Sequence, residues 1–308
     1  MKKVFIDGSA GTTGLRIAER LSTRTDIELI KLNEENRKDI NARKEALNSA
    51  DIAFLCLPDA ASREAVSLIE NSRTVVLDTS TAHRTDDGWA YGFPELSEKH
   101  REKIKNSKRI AVPGCHASGF IALVYPLIEA GVLPKNSLLS CFSLTGYSGG
   151  GKNMIAEYEG ERRDKLLNAP RQYGITQTHK HLPEMVKYGG IENSPAFIPV
   201  VADFYSGMEV TVPIFGSNIN ATIDQIKEIY KRKYTGPIVK FADDFSENGF
   251  VSANKLSFCD GMEISVGGNG DRILLIARYD NLGKGASGAA IECMNIVLGT
   301  EETTGLDL

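Results

Sequence analysis

The feature that most constrains the fold is a regular alternation of short apolar runs with amphipathic segments over the first 113 residues. The run KVFID (Lys3 to Asp7) stops at a glycine, and residues 11–21 then show helical spacing, with Leu15, Ala18 and Leu21 on one face. Four further apolar runs follow: IELIKL, AFLCLP, RTVVLD and RIAVP. Strands that alternate with helices in this way predict an α/β fold with a parallel sheet of Rossmann type and helices on both of its faces.

The pattern changes after about residue 137, where longer strands follow one another with fewer helices between them, as in LLSCFSLTGYS, GMEVTVPIF and DRILLIARYDN. This predicts a second, α+β domain with a largely antiparallel sheet. A helical segment from Gly285 to Leu298 follows, and we expect it to return to the first domain. Residues 1–114 with about 285–308 are therefore the predicted dinucleotide-binding domain. Residues 115–284 are the predicted catalytic, substrate-binding and oligomerisation domain.

Charge and composition exclude several classes of protein. The 36 basic and 40 acidic side chains give a formal net charge of −4, so the chain offers no basic surface for nucleic acid or an anionic membrane. No segment approaches the roughly 18 apolar residues of a membrane span, and the start of the chain lacks the apolar region of a secretion signal. We therefore expect a cytoplasmic protein. The five scattered cysteines show no metal-binding or disulfide spacing, so neither feature is expected.

A glycine-rich loop, GSAGTTG, joins the first strand to the first helix. Glycines allow positive φ angles and a close approach of the backbone to a pyrophosphate, and the helix N-terminus supplies aligned N–H groups. The spacing G-x-x-G-x-x-G departs from the stricter dinucleotide fingerprint, and a tight turn without a ligand is the alternative. Its place at the start of a βαβ series favours a dinucleotide held by Gly8, Ser9, Gly11, Thr12, Thr13 and Gly14.

The end of the second strand bears on the choice of dinucleotide. An NAD site usually carries an acidic residue there for the ribose 2′-hydroxyl. Here Lys31, Arg37 and Lys38 are placed to neutralise a 2′-phosphate, which favours NADP. Glu34 is an acidic residue of the kind that an NAD site uses, so NAD remains an alternative cofactor. The alternative for the three basic residues is that they are solvated surface charges.

The segment DTSTAHR follows the fourth predicted strand, at the edge of a parallel sheet where ligands bind. Ser80 supplies a hydroxyl and Arg84 a planar guanidinium, a suitable pair for a phosphate or carboxylate group. The alternative is that Ser80 caps a turn and Arg84 lies on the surface.

Among the five cysteines, Cys115 alone follows a glycine at the start of a predicted helix, in VPGCHASG. Placement at a helix N-terminus lowers the pKa of a thiol. His179 and His181, just before a helix-start signal at Pro183, are candidates for the imidazole of a Cys–His pair, with Glu184 to orient the ring. The alternatives are a buried structural thiol and hydrogen-bonded histidines. A reactive thiol beside a nicotinamide site predicts reduction of an activated acyl group through a thioester.

Six blocks, in order along nearly the whole chain, resemble the N-acetyl-γ-glutamyl-phosphate reductase family of arginine biosynthesis: GSAGTTG, WAYGFPEL, VPGCHASG, GYSGGGK, HKHLPE and RYDNLGKGASGAAIECMN. The chain length, and GCHASG where longer members carry GCYPT, are similar to the shorter, type 2 branch. The departure from that longer motif places a third imidazole, His116, beside the thiol without assigning it a role.

The resemblance implies an NADP-binding Rossmann domain and an α+β catalytic domain like that of aspartate-semialdehyde dehydrogenase. It implies that Cys115 is the nucleophile and that His179 or His181 is the acid/base, with His179 weakly favoured and Glu184 in support. It also implies a set of binding residues, with Ser80, Arg84 and Lys152 near the substrate and Ser148, Gly149 and Asn281 near the cofactor.

Three alternative functions remain at this point. One is a reductase of another acyl phosphate, such as aspartyl or N-acetyl-aminoadipyl phosphate. Another is a non-catalytic nucleotide-sensing protein, against which the joint presence of Cys115, both histidines and Arg84 argues. The last is a thiol acyltransferase or hydrolase without a nicotinamide, against which the glycine-rich loop argues. A large sheet in the second domain suits a subunit interface, so we expect a homo-oligomer, a dimer or a tetramer, that acts on a small-molecule substrate.

Overall fold

A computed structural model describes the whole chain, Met1 to Leu308. It contains thirteen strands: β1 (Lys2–Asp7), β2 (Ile27–Ile30), β3 (Ile52–Leu55), β4 (Val75–Asp78), β5 (Ala90–Tyr91), β6 (Arg109–Ala111), β7 (Ser140–Gly146), β8 (Arg171–Gln172), β9 (Ala196–Ala202), β10 (Met208–Phe215), β11 (Val239–Phe241), β12 (Met262–Gly268) and β13 (Arg272–Tyr279). Its nine α-helices are α1 (Thr12–Ser22), α2 (Ile40–Ser49), α3 (Asp59–Ser67), α4 (Glu98–Asn106), α5 (Cys115–Glu129), α6 (Gly151–Glu159), α7 (Leu182–Gly189), α8 (Ile223–Lys233) and α9 (Gly288–Leu298).

The chain forms two compact units, each described here by itself: unit 1 comprises Met1–Gly114 and Ala286–Leu306, and unit 2 comprises Cys115–Gly285 and Asp307–Leu308. Unit 1 contains a six-stranded sheet of order β2-β1-β3-β4-β6-β5 in which every pair is parallel. The predicted Rossmann-type sheet is confirmed.

Helices cover both faces of the unit 1 sheet, because its strands are apolar on both sides. One core cluster packs α1 and α9 against strands β1, β3 and β4. A second cluster packs residues of α2 and α3 against the opposite face. The expected apolar face of α1 was partly wrong. Leu15 is 51 % exposed, whereas Gly14, Ile17 and Leu21 are buried, which is the i, i+3, i+7 spacing of one helix face.

Unit 2 contains a seven-stranded mixed sheet of order β11-β12-β13-β10-β7-β9-β8. The pairs β11·β12 and β7·β9 are parallel, and the other four pairs are antiparallel, in keeping with the prediction of a largely antiparallel sheet. The stretch LSFCDGMEISVGG predicts a strand that includes Cys259, but Cys259 lies in the irregular segment before β12, since the pairing of β12 begins only at Met262.

Helix α5 crosses the inner face of this sheet and is apolar around most of its circumference. Pro126 lies inside the helix and has no N–H to donate to the carbonyl four residues earlier, that of Ala122. The Tyr234 hydroxyl donates to that carbonyl at 2.7 Å, and the Tyr230 hydroxyl donates to the carbonyl of Leu123 at 2.5 Å. Tyr234 therefore satisfies the carbonyl that Pro126 leaves without a helical donor. No helix in the protein combines the length and the apolar character needed to span a bilayer.

Candidate active site

The glycine-rich loop of unit 1 leaves no room for side chains at two positions. Gly8 has φ +84°, and a Cβ added there would lie 2.3 Å from the carbonyl oxygen of Cys56. A Cβ at Gly14 would lie 2.4 Å from the carbonyl oxygen of Gly8. Helix α1 begins at Thr12, within this motif, with no side-chain cap and no acidic residue in its first turn. The N–H groups of its first turn, which no side chain caps, therefore fit an anion such as a pyrophosphate.

The predicted cofactor residues of unit 1 lie in that loop and the first helical turn, apart from Arg37, which lies beyond β2: Gly8, Ser9, Gly11, Thr12, Thr13 and Gly14. The basic residues after β2 are exposed. Arg37 forms an ion pair of 3.3 Å with Glu34 and retains 45 % of its side-chain exposure. The Arg37 guanidinium is accessible to a 2′-phosphate, and Glu34 is paired with the same guanidinium.

The segment after β4 is a tight turn built on Asp78, which is fully buried. Asp78 accepts hydrogen bonds from the Ser80 N–H at 2.9 Å and from the Ser80 hydroxyl at 2.8 Å. Its second oxygen also lies 2.7 Å from Nδ1 of His83, whose ring stacks on Trp89 with centroids 4.1 Å apart. The hydroxyl of Ser80 is thus engaged within the turn, so its predicted contact with substrate requires the hydroxyl to exchange partners.

Arg84 does not lie on the surface, since it is only 7 % exposed. Its Nε donates to the carbonyl of Val112 and its Nη2 to the carbonyl of Thr79, both at 2.9 Å. Val112 lies three residues before Cys115 in the chain, so the guanidinium fixes the segment that leads to the thiol. Two donors of the guanidinium therefore serve the backbone, and direct recognition of substrate by Arg84 stays a prediction.

Cys115 is the first residue of α5 and is partly exposed. The Tyr279 hydroxyl, at the end of β13, donates to the carbonyl of Cys115 at 2.5 Å and accepts from the N–H of Gly119 at 3.0 Å. The first turn of the helix is therefore fixed to the sheet. Gly285 lies against the same residue, and a Cβ added there would lie 3.0 Å from the Cβ of Cys115. The loop that follows Asn281 therefore passes close to the backbone of Cys115.

Three imidazole rings cluster beside the first turn of α5. The ring centroids of His116 lie 5.6 Å from those of His179 and 5.5 Å from those of His181, and the latter two are 4.7 Å apart. Phe197 on β9 packs against His116 and His179 at 5.3 and 5.0 Å. The fold thus brings together the chain neighbour of Cys115 and both histidines proposed for acid/base chemistry, and Glu184 is buried on the first turn of α7 directly after His181.

His116 was left without a role by the sequence, and the structure gives it two partners. Its Nδ1 lies 2.7 Å from the Ser143 hydroxyl on β7, and its Nε2 lies 2.6 Å from the hydroxyl of Tyr173. Burial, and then the charge of His179, lowers the pKa of His116 to about 3, so the ring is neutral at physiological pH. Sequence reasoning missed Ser143 and Tyr173, because neither lies in a motif and each approaches the site only through the sheet.

The remaining predicted residues of unit 2 divide into a buried pair and an exposed group. Asn281 Nδ2 donates to the Ser148 hydroxyl at 3.0 Å, and its Oδ1 accepts from the N–H of Gly207 at 2.9 Å. Gly149 lies beside that amide, and Lys152 is exposed on the first turn of α6. Ser148 and Asn281 therefore contact each other, while Lys152 is exposed, and the roles that the resemblance implies for these residues stay predictions.

Asp280 is a further residue that sequence reasoning missed. It is fully buried and accepts hydrogen bonds from the Ser206 hydroxyl at 2.8 Å and from the N–H groups of Leu282 and Gly283 at 2.6 and 2.9 Å. The Gly285 N–H donates to its carbonyl at 3.0 Å. One carboxylate thus holds the loop that places Gly285 against Cys115.

Three of the other four cysteines, Cys56, Cys141 and Cys293, differ from Cys115 in their surroundings. Burial raises the pKa of Cys56 to about 12 and also raises that of Cys141 well above its usual value. Cys293 is fully buried within α9. These environments fit structural thiols.

Comparison with known proteins defines the class. Residues 3–107 match the family described as semialdehyde dehydrogenase, NAD binding domain, and residues 115–281 match semialdehyde dehydrogenase, dimerisation domain. The structure of aspartate semialdehyde dehydrogenase II from Vibrio cholerae has a TM-score of 0.73 at 18% identity, over 97% of this chain and 98% of that chain. The enzyme from Candida albicans, solved with NADP, has a TM-score of 0.64 at 13% identity, over 97% and 98%. The fold is that of the semialdehyde dehydrogenases.

Curated relatives narrow the class. N-acetyl-gamma-glutamyl-phosphate reductase 2 of Nostoc sp. is 43% identical over 99% of this chain and 99% of its own length. The reductase of the same name from Rhizobium meliloti is 43% identical over 96% of this chain and 98% of its own. The chain belongs to the N-acetyl-γ-glutamyl-phosphate reductase family, which confirms the resemblance found in the sequence.

Proposed function

We propose that the protein reduces N-acetyl-glutamyl 5-phosphate to N-acetyl-glutamate 5-semialdehyde and phosphate with NADPH, as a cytoplasmic enzyme of arginine biosynthesis. The observation that carries the proposal is the thiol of Cys115 at the start of a buried helix, followed directly by His116, whose ring lies 5.6 Å from that of His179 and 5.5 Å from that of His181. The relatives at 43% identity are named as N-acetyl-γ-glutamyl-phosphate reductases, and this name indicates the acyl phosphate on which such a thiol would act.

The proposed reaction begins with transfer of the Cys115 proton to an imidazole. The thiolate attacks the acyl carbon, the bond from that carbon to the phosphate oxygen breaks, and phosphate leaves and takes a proton from solvent. NADPH, when bound, supplies the hydride that the thioester carbon accepts. The imidazolium protonates the former carbonyl oxygen of the thioester, which carries the negative charge after hydride addition, to give a hemithioacetal. When the carbon–sulfur bond breaks, that proton returns to the imidazole, the aldehyde leaves and the thiolate is restored.

The backbone distinguishes the two candidate bases. The N–H of His181 donates to Nδ1 of His179 at 3.2 Å, so neutral His179 carries its hydrogen on Nε2. That ring has no lone pair left on Nε2 to accept the thiol proton, and a proton on Nδ1 would oppose an N–H donor. We therefore propose His181 as the acid/base and His179 as a hydrogen-bond donor through Nε2. The sequence weakly favoured His179, and Glu184 keeps its proposed role of supporting His181.

The residues that would hold the cofactor are those of the glycine-rich loop and the first turn of α1, on the pyrophosphate, with Arg37 toward a 2′-phosphate. Ser148, Gly149 and Asn281 of unit 2 stay proposed for the cofactor. Ser80, Arg84 and Lys152 stay proposed for the substrate.

One assay tests the proposed function against its rivals. The purified protein is given N-acetyl-glutamate semialdehyde, phosphate and NADP, and formation of NADPH is followed by absorbance. Aspartate semialdehyde and N-acetyl-aminoadipate semialdehyde serve as parallel substrates. Phosphate-dependent reduction with the first substrate supports the proposal. Preference for another aldehyde would assign a different acyl phosphate as the substrate. If no NADP is reduced with any of the three aldehydes, the result supports a binding protein or a thiol hydrolase.

The exposed basic residues after β2 lead to a prediction about the cofactor. NADP is expected to bind more tightly than NAD, because Lys31, Arg37 and Lys38 lie where a 2′-phosphate would be placed. The double variant Arg37→Gln, Lys38→Gln should reduce this preference by about 5- to 50-fold through weaker NADP binding, with the affinity for NAD retained. Fluorescence titration with both cofactors measures it. Equal affinity of the unaltered protein for NADP and NAD would contradict the assignment.

We further propose that the protein forms a homodimer through the outer face of the unit 2 sheet. Phe142, Leu274 and Phe215, on three neighbouring strands of that face, are 36 %, 39 % and 64 % exposed. An open groove of about 840 Å³ at the same edge is lined by Pro213, Phe215 and Leu138 and by none of the proposed catalytic residues. Exposed apolar area of this kind is typical of a subunit interface, and this unit matches a family described as a dimerisation domain.

Phe215→Asp is expected to shift the dimer toward monomer by at least about tenfold in dissociation constant, because a carboxylate would be buried against an apolar partner surface. Light scattering across a concentration series measures the shift. Ile40→Asp, at an exposed apolar position on α2 of unit 1, is the control and should leave the mass unchanged. A monomeric unaltered protein, or a dimer insensitive to Phe215→Asp, would exclude this face.

A further inference from the structure

Arg171 on β8 is a half-buried basic residue of unit 2 that the mechanism above does not use. Its Nη2 donates to the hydroxyl of Tyr158 at 3.2 Å, and its guanidinium carbon lies 5.5 Å from the centre of that ring. Its Nε is buried and has no hydrogen-bond acceptor, and no carboxylate pairs with the guanidinium. Arg171 is therefore a cation that the protein orients but does not neutralise.

A second arginine beside the same ring is neutralised within the protein. The guanidinium carbon of Arg163 lies 5.9 Å from the centre of the Tyr158 ring, and its Nη2 forms an ion pair of 2.6 Å with Asp203. The carbonyl of Tyr158 and Oδ1 of Asn168 accept further hydrogen bonds from it. Withdrawing a charge from water is unfavourable unless a partner of opposite charge compensates it. Arg163 has such a partner in Asp203, whereas for Arg171 an anionic ligand would have to supply it.

The backbone places Arg171 on the face of the sheet that carries the imidazole rings. Arg171 is paired with Val201 across β8 and β9, and Phe197 lies four residues before Val201 on β9. Residues directly opposite each other on paired strands share a face, as do alternate residues along one strand. Phe197 contacts the rings of His116 and His179. The Arg171 side chain therefore lies on the same side of the sheet as these rings.

Tyr173, two residues after Arg171, shows how close the guanidinium is to those rings. The Tyr173 hydroxyl lies 2.6 Å from Nε2 of His116, the residue that follows Cys115. Tyr173 and Tyr158 also pack in one apolar cluster. Two residues along a strand span roughly 7 Å. Arg171 is therefore one row of side chains away from the row that contacts His116.

We propose that Arg171 binds the α-carboxylate of the substrate and so selects acyl phosphates that carry this group. The inference deepens the proposed function and rests on it for the identity of the substrate. A guanidinium matches a carboxylate in geometry, and the bond to Tyr158 fixes its plane. Arg171 is thus a specificity-determining residue that takes no part in proton transfer.

The structure of the substrate favours its carboxylate over its phosphate as the ligand of Arg171. In N-acetyl-glutamyl 5-phosphate, three carbon atoms separate the acyl carbon from the α-carboxylate, a span comparable to the spacing of side-chain rows on a strand. The phosphate is bonded to the carbon that Cys115 attacks, so it lies at the reacting end. The group one row away is the carboxylate.

The test removes the cation and the carboxylate in turn. 4-Acetamidobutanal is N-acetyl-glutamate semialdehyde without its α-carboxylate, and both aldehydes are assayed by phosphate-dependent reduction of NADP. Arg171→Gln should lower kcat/KM for N-acetyl-glutamate semialdehyde by about 10- to 100-fold, mainly through KM, the scale of a lost charge-assisted contact. For 4-acetamidobutanal the same variant should change kcat/KM by less than about threefold, because the partner of the cation is already missing.

Two further variants separate binding of the carboxylate from packing on Tyr158. Arg163→Gln removes the other guanidinium beside that ring and should leave kcat/KM for both aldehydes unchanged. Arg171→Lys keeps the charge but loses the planar fork, so it should raise KM for N-acetyl-glutamate semialdehyde by about 3- to 10-fold and leave KM for 4-acetamidobutanal unchanged.

Three results would overturn the inference. One is an unchanged kcat/KM of Arg171→Gln for N-acetyl-glutamate semialdehyde. Another is an equal loss with both aldehydes, which would give Arg171 a structural role or a role in binding phosphate. The third is an equal loss in Arg163→Gln. Should Arg171→Gln unfold, as judged by circular dichroism, the comparison of the two aldehydes in Arg171→Lys decides in the same way.

Failure of the proposed function gives a different result from failure of this inference. If the protein reduces NADP with neither aldehyde, calorimetric titration with N-acetyl-glutamate and with N-acetyl-4-aminobutyrate, which lacks the α-carboxylate, replaces the assay. Tighter binding of N-acetyl-glutamate that is lost in Arg171→Gln retains the inference without the activity. Equal binding of the two ligands to the unaltered protein overturns it.

Discussion

Replacing Cys115 with serine is expected to lower turnover by about 10⁴-fold or more, because a hydroxyl forms almost no anion near neutral pH. Serine is nearly isosteric with cysteine and sits at a partly exposed helix start, where its side chain is well tolerated. The fold and NADP binding should therefore survive. Steady-state reduction assays measure the loss, and cofactor titration with circular dichroism shows what is retained.

The same residue should be selected by alkylation near neutral pH, with a thiol pKa below the free value of about 8.5. Cys56 and Cys141 are protected by the burial that raises their pKa values, and Cys293 by its place inside α9. Cys259 is partly exposed, but it does not begin a helix, so it too should react more slowly than Cys115. Peptide mass spectrometry after limited labelling identifies the site, and acyl phosphate should protect it. Cys141→Ser is the matched control and should keep turnover. Near-normal activity of Cys115→Ser would make Cys115 a packing residue and exclude the thioester.

His181→Asn is expected to lower kcat by roughly 10²- to 10⁴-fold, the usual contribution of a general acid/base. His179→Asn should cost less, since the bond from the His181 N–H leaves His179 as a donor only. The pH dependence of kcat/KM is a second test of which histidine is the base. The limb of the kcat/KM profile that reports the base should disappear in His181→Asn and persist in His179→Asn.

Single-turnover measurements separate the steps. His181→Asn should slow phosphate release, because thiolate formation then lacks its base. A larger loss in His179→Asn, with the pH limb removed in that variant, would return the acid/base role to His179, as the sequence weakly favoured.

Much of the architecture could be predicted because it follows from local pattern. The alternation of apolar runs and helical spacing required a parallel sheet, and the longer strands after residue 137 required a second sheet. Errors arose where the pattern was weak. Leu15 shares an amphipathic helix with Ile17 but lies on its solvent face, and Cys259 lies in an apolar stretch that turns before pairing begins.

The sequence by itself determined the family of the protein through six ordered motifs, and it predicted the reactive group, because a cysteine between a glycine and a helix start, with HxH and a glycine-rich loop elsewhere, has few chemical uses. Only the tertiary structure decided how the neighbours of Cys115 are arranged. Ser143 and Tyr173 meet at His116 because β7 and the segment after β8 are joined through β9, and spacing along the chain carries no trace of that contact.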